Sequence, residues 1–311
     1  MDTSILQAFL DRQPAGRTLF HYYRDRYAVE ALSRAVGEGS TVHALKRSPL
    51  AGLLQRPIVK TILASACADG RVTPERLAQV WAHIVPTELL TYRLSYGRWG
   101  ETKGYWKQYY RQTTRPGENL VVQLNFNNQH KQAYYRLIRP EADLHPFAGY
   151  GHPIRADDEL TLAWCRVDIE PLTGEALIEE VQNDWIREAD AGLRYKQKWQ
   201  IGTDRARRDL KDYVTEILKP HRQVWAKAVV TATLNVLREA FDLHMVYFHS
   251  PESGAVLKGI EGSTPPRSLY SALPRKLGFR PTPHPPRFVR WVPRAWQALS
   301  AQPLSFFRLD L

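Results

Sequence analysis

Glu180, Gln182 and Asp184 stand two residues apart in the stretch Glu175-Ala176-Leu177-Ile178-Glu179-Glu180-Val181-Gln182-Asn183-Asp184-Trp185. The stretch reads as a β-strand, whose side chains alternate between faces. Leu177, Val181 and Trp185 then share one face, and Ile178, Glu180, Gln182 and Asp184 the other. A carboxylate, an amide and a second carboxylate in a row are costly to bury unless they are paired, hydrogen-bonded or used. Used together, Glu180 and Asp184 form an acid/base pair and Gln182 orients a substrate. The plainer reading is an amphipathic strand with one wet face, in which Glu179 is exposed or salt-bridged.

Other candidates converge on the same strand ends. His249 closes an apolar run at 245–249 and titrates near neutrality, which suits proton transfer. Ser250, Glu252 and Lys258 follow it in the loop beyond, as substrate-binding candidates. Tyr270 is a late acid or an aromatic wall. Asn125, near the end of a strand at 120–126, and His130, just beyond it, lie where ligands often bind in α/β folds. Each has a structural alternative: His249 capping its strand, Glu252 in a solvated turn, Lys258 on the surface, Tyr270 as a core ring.

A second constellation suits a polyanion. Residues 92–115 interleave rings and cations, among them Arg98, Trp99, Lys103, Trp106, Lys107 and Arg111. Such interleaving suits single-stranded nucleic acid, whose bases stack on rings while cations track the backbone. The alternative is a loop that plugs its rings into the core. A charged stretch at 187–222 adds Arg207 and Arg208, and the formal net charge is +11.

Several classes are excluded by motif. The 311 residues hold no nucleophile elbow, phosphate-binding Gly-Lys-(Ser/Thr) loop or Rossmann glycine fingerprint. No metal-ligand spacing occurs, although Glu180, Asp184 and Glu252 could hold Mg²⁺ in a nuclease. Cys67 and Cys165 read as buried free thiols in a reducing compartment, with a disulfide between them as the alternative. No secretory leader or membrane-spanning stretch is read, so a cytoplasmic protein without membrane contact is expected.

The elements that must position these residues indicate an α+β fold. Residues 1–94 read as helical, with helices at 4–10, 17–36, 42–54, 58–66 and 74–85. Residues 95–280 read as an α/β-type domain. Its strands are 120–126, 161–169, 175–185 and 245–249; its helices are 131–138, 223–241 and 267–277. Pro171-Leu172-Thr173-Gly174 is the turn of an antiparallel hairpin, and Gly149-Tyr150-Gly151-His152-Pro153 a turn-rich linker. Residues 281–311 form a Pro/Arg/Trp-rich tail that wraps the domain and ends in a strand near 305–309.

Two resemblances follow. Glu180-Val181-Gln182-Asn183-Asp184-Trp185 resembles the Glu-(Val/Ile)-Gln-Ser-Asp-Trp motif of a domain in phage and phage-associated bacterial proteins, with Asn183 where serine is usual. The order of elements over 161–280, with Leu269-Tyr270 and Leu277-Gly278-Phe279, resembles the C-terminal half of a GNAT acyltransferase. That resemblance implies a mixed sheet, acyl-CoA lying across splayed central strands and Tyr270 as general acid. The chain departs from it after the key strand. Trp185-Ile186-Arg187-Glu188 stands where GNAT enzymes carry a glycine-rich diphosphate loop, and only Gly192 and Gly202 follow before residue 222. The expected function is a transferase, an acyltransferase using acetyl-CoA by that resemblance, acting on or near an anionic partner. The alternatives are a nucleic-acid-binding or nucleic-acid-processing protein of phage or anti-phage context, and a non-catalytic interaction protein.

Overall fold

The computed structural model describes residues 1–13, 18–100, 112–141, 144–155, 159–194, 204–260, 262 and 264–311. The first part of the chain runs through α1 (Thr3–Arg12), β1 (Thr18–Tyr22), α2 (Arg26–Val36), β2 (Ser40–Thr41), α3 (Val42–Lys46), α4 (Pro57–Ala66), β3 (Arg71–Val72) and α5 (Pro74–Ala78). Next come β4 (Leu90–Trp99), β5 (Asn119–Phe126), α6 (Asn128–Ile138), β6 (Thr161–Glu170) and β7 (Glu175–Gln182). Then follow α7 (Asp184–Arg194), α8 (Asp204–Asp212), α9 (Lys219–Phe241), β8 (Met245–His249) and α10 (Pro251–Lys258). The chain closes with α11 (Leu273–Lys276), β9 (Arg280–Thr282), α12 (Pro293–Ala301) and β10 (Phe306–Asp310).

Among the described residues, eight strands form one sheet in the order β1-β4-β5-β6-β7-β8-β10-β9, giving an α+β fold. Every neighbouring pair is antiparallel except β7 and β8, which are parallel. A parallel pair needs a long crossover. Here α7, α8 and α9 supply it. Helix α9 packs on β5, β6 and β7. Its Ala228, Val229 and Ala232 meet Val122, Cys165, Val167 and Ile178 in the main core. A smaller core on the opposite face joins Leu177, Tyr247 and Phe306 to Phe288, Val289 and Ala295 near the C-terminus.

The first hundred residues hold a strand where helix was expected. Phe20, Tyr23 and Tyr27 imitate helical steps, but residues 18–22 form β1 beside β4, with Phe20 and Tyr22 buried. Helix α2 starts only at Arg26, after Asp25 turns the chain at a positive φ of 67°. Leu6, Phe20, Leu32 and Val59 enter the same core as Val122 and Ile178. Residues 92–99, expected in a loop, belong to β4. Cys67 and Cys165 are buried and unbridged.

Strand β7 also differs from strict alternation. Val167 pairs with Ile178 but Arg166 pairs with Glu180, so Glu179 is one residue too many for β6. Such a bulge resets which face each later side chain takes. Ile178 and Val181 both join the helix-covered core, whereas Leu177 joins the smaller one. Glu180 and Gln182 lie on the face of Arg166 and Trp164. The strand ends at Gln182, and Asp184 and Trp185 open α7 instead of continuing it.

Candidate functional site

The bulge turns Glu179 into a fully buried carboxylate. Thr114 donates to it from N and Oγ1, both at 2.9 Å, and His249 Nε2 lies 3.2 Å from Oε2. Burial alone would push this carboxyl up. The hydrogen bond and charge of His249, then Lys258 and Arg166, outweigh it and hold the group at about 2. Burial lowers the His249 pKa, only partly opposed by Glu179. At neutral pH this is an anionic carboxylate beside a neutral imidazole. Nε2–H then donates to Glu179, and Nδ1 accepts from Ser253 Oγ at 3.1 Å. His249 is therefore a buried strut with both ring nitrogens engaged, not an open proton carrier.

The bulge also sits where the parallel pair parts. Strands β7 and β8 pair from Glu175↔Met245 to Ile178↔Phe248, after which β7 runs on to Gln182 without that neighbour. The Glu179 carbonyl is taken instead by Lys258 Nζ at 2.9 Å and the Tyr270 hydroxyl at 3.2 Å. Beside them opens a cleft of 360 Å³ whose lining includes Glu180, Gln182, Arg187, Trp225, Lys258 and Tyr270. Burial lowers the Lys258 pKa, partly offset by Glu180, and raises that of Tyr270 well above its usual value. Tyr270 is thus a hydrogen-bond donor, not a base. Glu180 is tied to Arg166 Nη2 at 2.6 Å. Arg166 is itself fully buried, bonded to the Gln112 carbonyl at 2.7 Å and 5.0 Å from the Trp99 ring. Its Nε and Nη1 find no partner among the described residues.

At the far end of β7, Asp184 gathers four groups. Gln182 Nε2 at 2.7 Å and Arg187 Nη2 at 2.5 Å meet Oδ1; His152 Nδ1 at 2.8 Å and Trp164 Nε1 at 3.4 Å meet Oδ2. Burial would raise this carboxyl, but the His152 bond and charge, Gln182 and Arg187 leave it below its usual value.

Other expected site residues lie elsewhere. Asn125 is fully buried between Ser95 Oγ and Thr161 Oγ1, each at 2.7 Å, and knits three strands together. His130 is on α6, because Asn127 caps the helix three residues earlier than expected. It stacks on Phe126 at 3.5 Å and meets the Tyr213 hydroxyl at 2.9 Å, away from the cleft, with its pKa pushed well down by burial. Ser250 is not in a loop. It caps α10 reciprocally with Ser253, and Glu252 is exposed in that helix's first turn. Arg98 is held by Glu118 and Gln7. Trp99 is buried against Trp164, so the described end of the ring-and-cation stretch turns inward. Lys103, Trp106, Lys107 and Arg111 lie outside the described residues. Arg207 and Arg208 are exposed on α8. Among the described residues no group of three or more His, Cys, Asp or Glu side chains could hold a metal ion, so Glu180, Asp184 and Glu252 do not form the Mg²⁺ set considered above. No described helix is long and apolar enough to cross a membrane.

Sequence reasoning missed Glu179, Thr114, Arg166 and His152. Arg166 carried a usable signal: an arginine inside the apolar run Leu162–Ile169 falls opposite Glu179 when the hairpin is counted back from its turn, and the bulge shifts it one residue on to Glu180.

No family model, curated protein or solved structure matches this chain. The CoA that the GNAT resemblance implies can still be tested against the residues. Its diphosphate would need free backbone N–H groups at the N-terminus of α7. There the Asn183 side chain accepts from Ile186 N at 2.8 Å, and the ionised Asp184 occupies the first turn. These residues do not fit a diphosphate.

Proposed function

We propose that this protein is a transferase of acyl groups with GNAT-like strand order, acting on an anionic acceptor. The observation that carries the reading is the single parallel pair, β7 and β8, parting beside a bulge to open a cleft lined by Gln182, Lys258 and Tyr270. An activated acyl group is flat and carries one strong acceptor oxygen. The Lys258 ammonium and the Tyr270 hydroxyl now converge on a backbone carbonyl of the same chemistry. An acyl oxygen in the cleft is a natural competitor for those donors, which would stabilise charge developing on it during transfer. Because α7 does not fit a diphosphate, the donor is read as an acyl thioester gripped by its acyl end.

The test is thiol release from S-acetyl-pantetheine and from acetyl-CoA. Turnover of both is expected, with the nucleotide half of CoA giving no advantage. Tyr270→Phe should lower kcat by about 10²-fold or more, the scale of losing one such donor. Release from neither thioester would sink the reading. A second reading, nucleic-acid binding without transfer, is favoured by exposed Arg207 and Arg208 and the charge of +11.

A further inference from the structure

We infer that His152, beside this cleft, is its proton acceptor and that Asp184 is the group that positions it. The assignment rests on the acyl-transfer reading and supplies the base that reading otherwise lacks. The other candidates near the gap are committed. Glu180 is ion-paired with buried Arg166, Glu179 is sealed under Thr114, and His249 spends both ring nitrogens inside the protein.

His152 differs in three respects. Its side chain is 33% exposed while its partner Asp184 is 3% exposed, a wet imidazole backed by a dry carboxylate. Asp184 is held ionised, so Nδ1, 2.8 Å away, must carry the hydrogen and donate. The Gln182 amide nitrogen also lies 3.1 Å from that nitrogen and donates to Asp184 Oδ1 at 2.7 Å; with the ionised Asp184 closer to Nδ1, the ring hydrogen goes to the carboxylate. This tautomer leaves the lone pair on Nε2, which has no hydrogen-bond partner among the described residues. An imidazole whose inner N–H is fixed by a carboxylate presents its outer nitrogen as a proton acceptor, the arrangement of a general base.

The chain is also shaped to seat this ring. The turn closes with His152 N donating to Gly149 O at 2.8 Å, and Gln123 Nε2 holds the next carbonyl, Pro153 O, at 2.8 Å. Gly149 passes so close to Asp184 that a Cβ there would stand 2.6 Å from its Cγ, so no larger residue fits without movement. The ring packs on Trp164 at 5.6 Å. His152 and Asp184 do not line the cleft themselves; Gln182 and Arg187, which do, both bond Asp184 and place the dyad next to it.

The step balances with an acyl thioester as donor. The N–H or O–H nucleophile of the acceptor attacks the acyl carbonyl carbon, and its proton passes to His152 Nε2. The new C–N or C–O bond forms as the C–S bond breaks and its electron pair leaves on sulfur. The imidazolium then returns the proton to that sulfur. The sum is acyl thioester plus acceptor giving acylated acceptor plus thiol.

The experiment follows thiol release from S-acetyl-pantetheine, with water as acceptor where none is added. His152→Asn keeps a side-chain donor toward Asp184 and so spares the loop, but it has no base. It should lower kcat by about 10²-fold or more with little change in KM. His152→Ala should fall equally and regain rate when imidazole is added, which a merely structural histidine would not do. Asp184→Asn should lower kcat with KM preserved, because an amide no longer fixes the tautomer. Wild-type release that persists in both His152 variants overturns the assignment and leaves the transfer reading standing. A wild type that releases no thiol overturns the transfer reading, and the assignment with it.

Discussion

Glu179 sets the terms at the scale of the residue. It is a carboxylate with no exposure, held by two donors from Thr114 and one from His249. Removing its charge strands polar groups that have no water to turn to, so Glu179→Gln should cost about 2–3 kcal/mol, the scale of lost hydrogen bonds to a buried charged group. Urea unfolding at pH 7 measures it, and a loss under about 1 kcal/mol would make the network ornamental. The pH dependence has a definite sign. The Glu179 carboxyl sits at about 2, below its value in an unfolded chain, so its stabilisation is present above the ordinary glutamate range and lost as pH falls toward 2. His249 is lowered by burial, so below its ordinary value the unfolded chain takes up a proton that the folded chain refuses. Both groups make stability fall with acidification, His249 first. Thermal melts across the acid range should show this slope, and the Glu179→Gln variant should lack its lower part.

The element scale explains what could be read from the sequence. Strand β8 was legible residue for residue, and β5, β6 and α9 nearly so, because each has a strong period or a continuous apolar run. Strand β1 was hidden because its aromatic residues and those of α2 form one helical pattern across a break at Asp25. The faces of β7 were misread because a bulge is a property of a pair of strands, and Glu179 becomes extra only against Arg166 and Val167. The site shared that limit. Glu180, Gln182 and Asp184 were visible as a polar row, but their partners Arg166 and His152 arrive from other segments. Helix α10 shows how a polar cluster can mislead in the other direction. Ser250-Pro251-Glu252-Ser253 looked like a binding loop and is a helix start, with Ser250 and Ser253 bonding each other's backbone N–H. Ser250→Ala should therefore cost about 1 kcal/mol of stability, the usual scale of a removed N-cap. Turnover should be untouched. A variant as stable as wild type but inactive would instead make Ser250 a substrate-binding residue.

At the scale of the whole molecule the question is where a net charge of +11 is felt. Many of the described arginines are spent internally: Arg115 on Asp168 and Glu170, Arg166 on Glu180, Arg222 on Asp190. The crossover between the parallel strands is different. On α8, Arg205 and Arg207 reach Asp209 and Asp204 only at 3.8 and 3.7 Å, and Arg208 has no partner among the described residues. Exposed pairs this long contribute little and leave their cations available to another anion. On α7, Arg187 and Arg194 line a further opening of 440 Å³ that shares Asn183, Arg187 and Trp225 with the cleft. An anionic acceptor held by Arg187 and Arg194 would thus lie beside the place where acyl transfer is proposed. That arrangement predicts binding of a short single-stranded oligonucleotide whose affinity falls steeply with salt, because each neutralised phosphate releases counterions. Replacing Arg207 and Arg208 together by serine should leave folding intact, since both are exposed. It should lower the slope of log affinity against log salt by about 1 for each phosphate that is no longer neutralised. An affinity that changes less than about twofold between roughly 50 and 200 mM salt would remove nucleic acid as the polyanion. A steep slope unaltered by the double substitution would place the phosphate-binding surface elsewhere than α8.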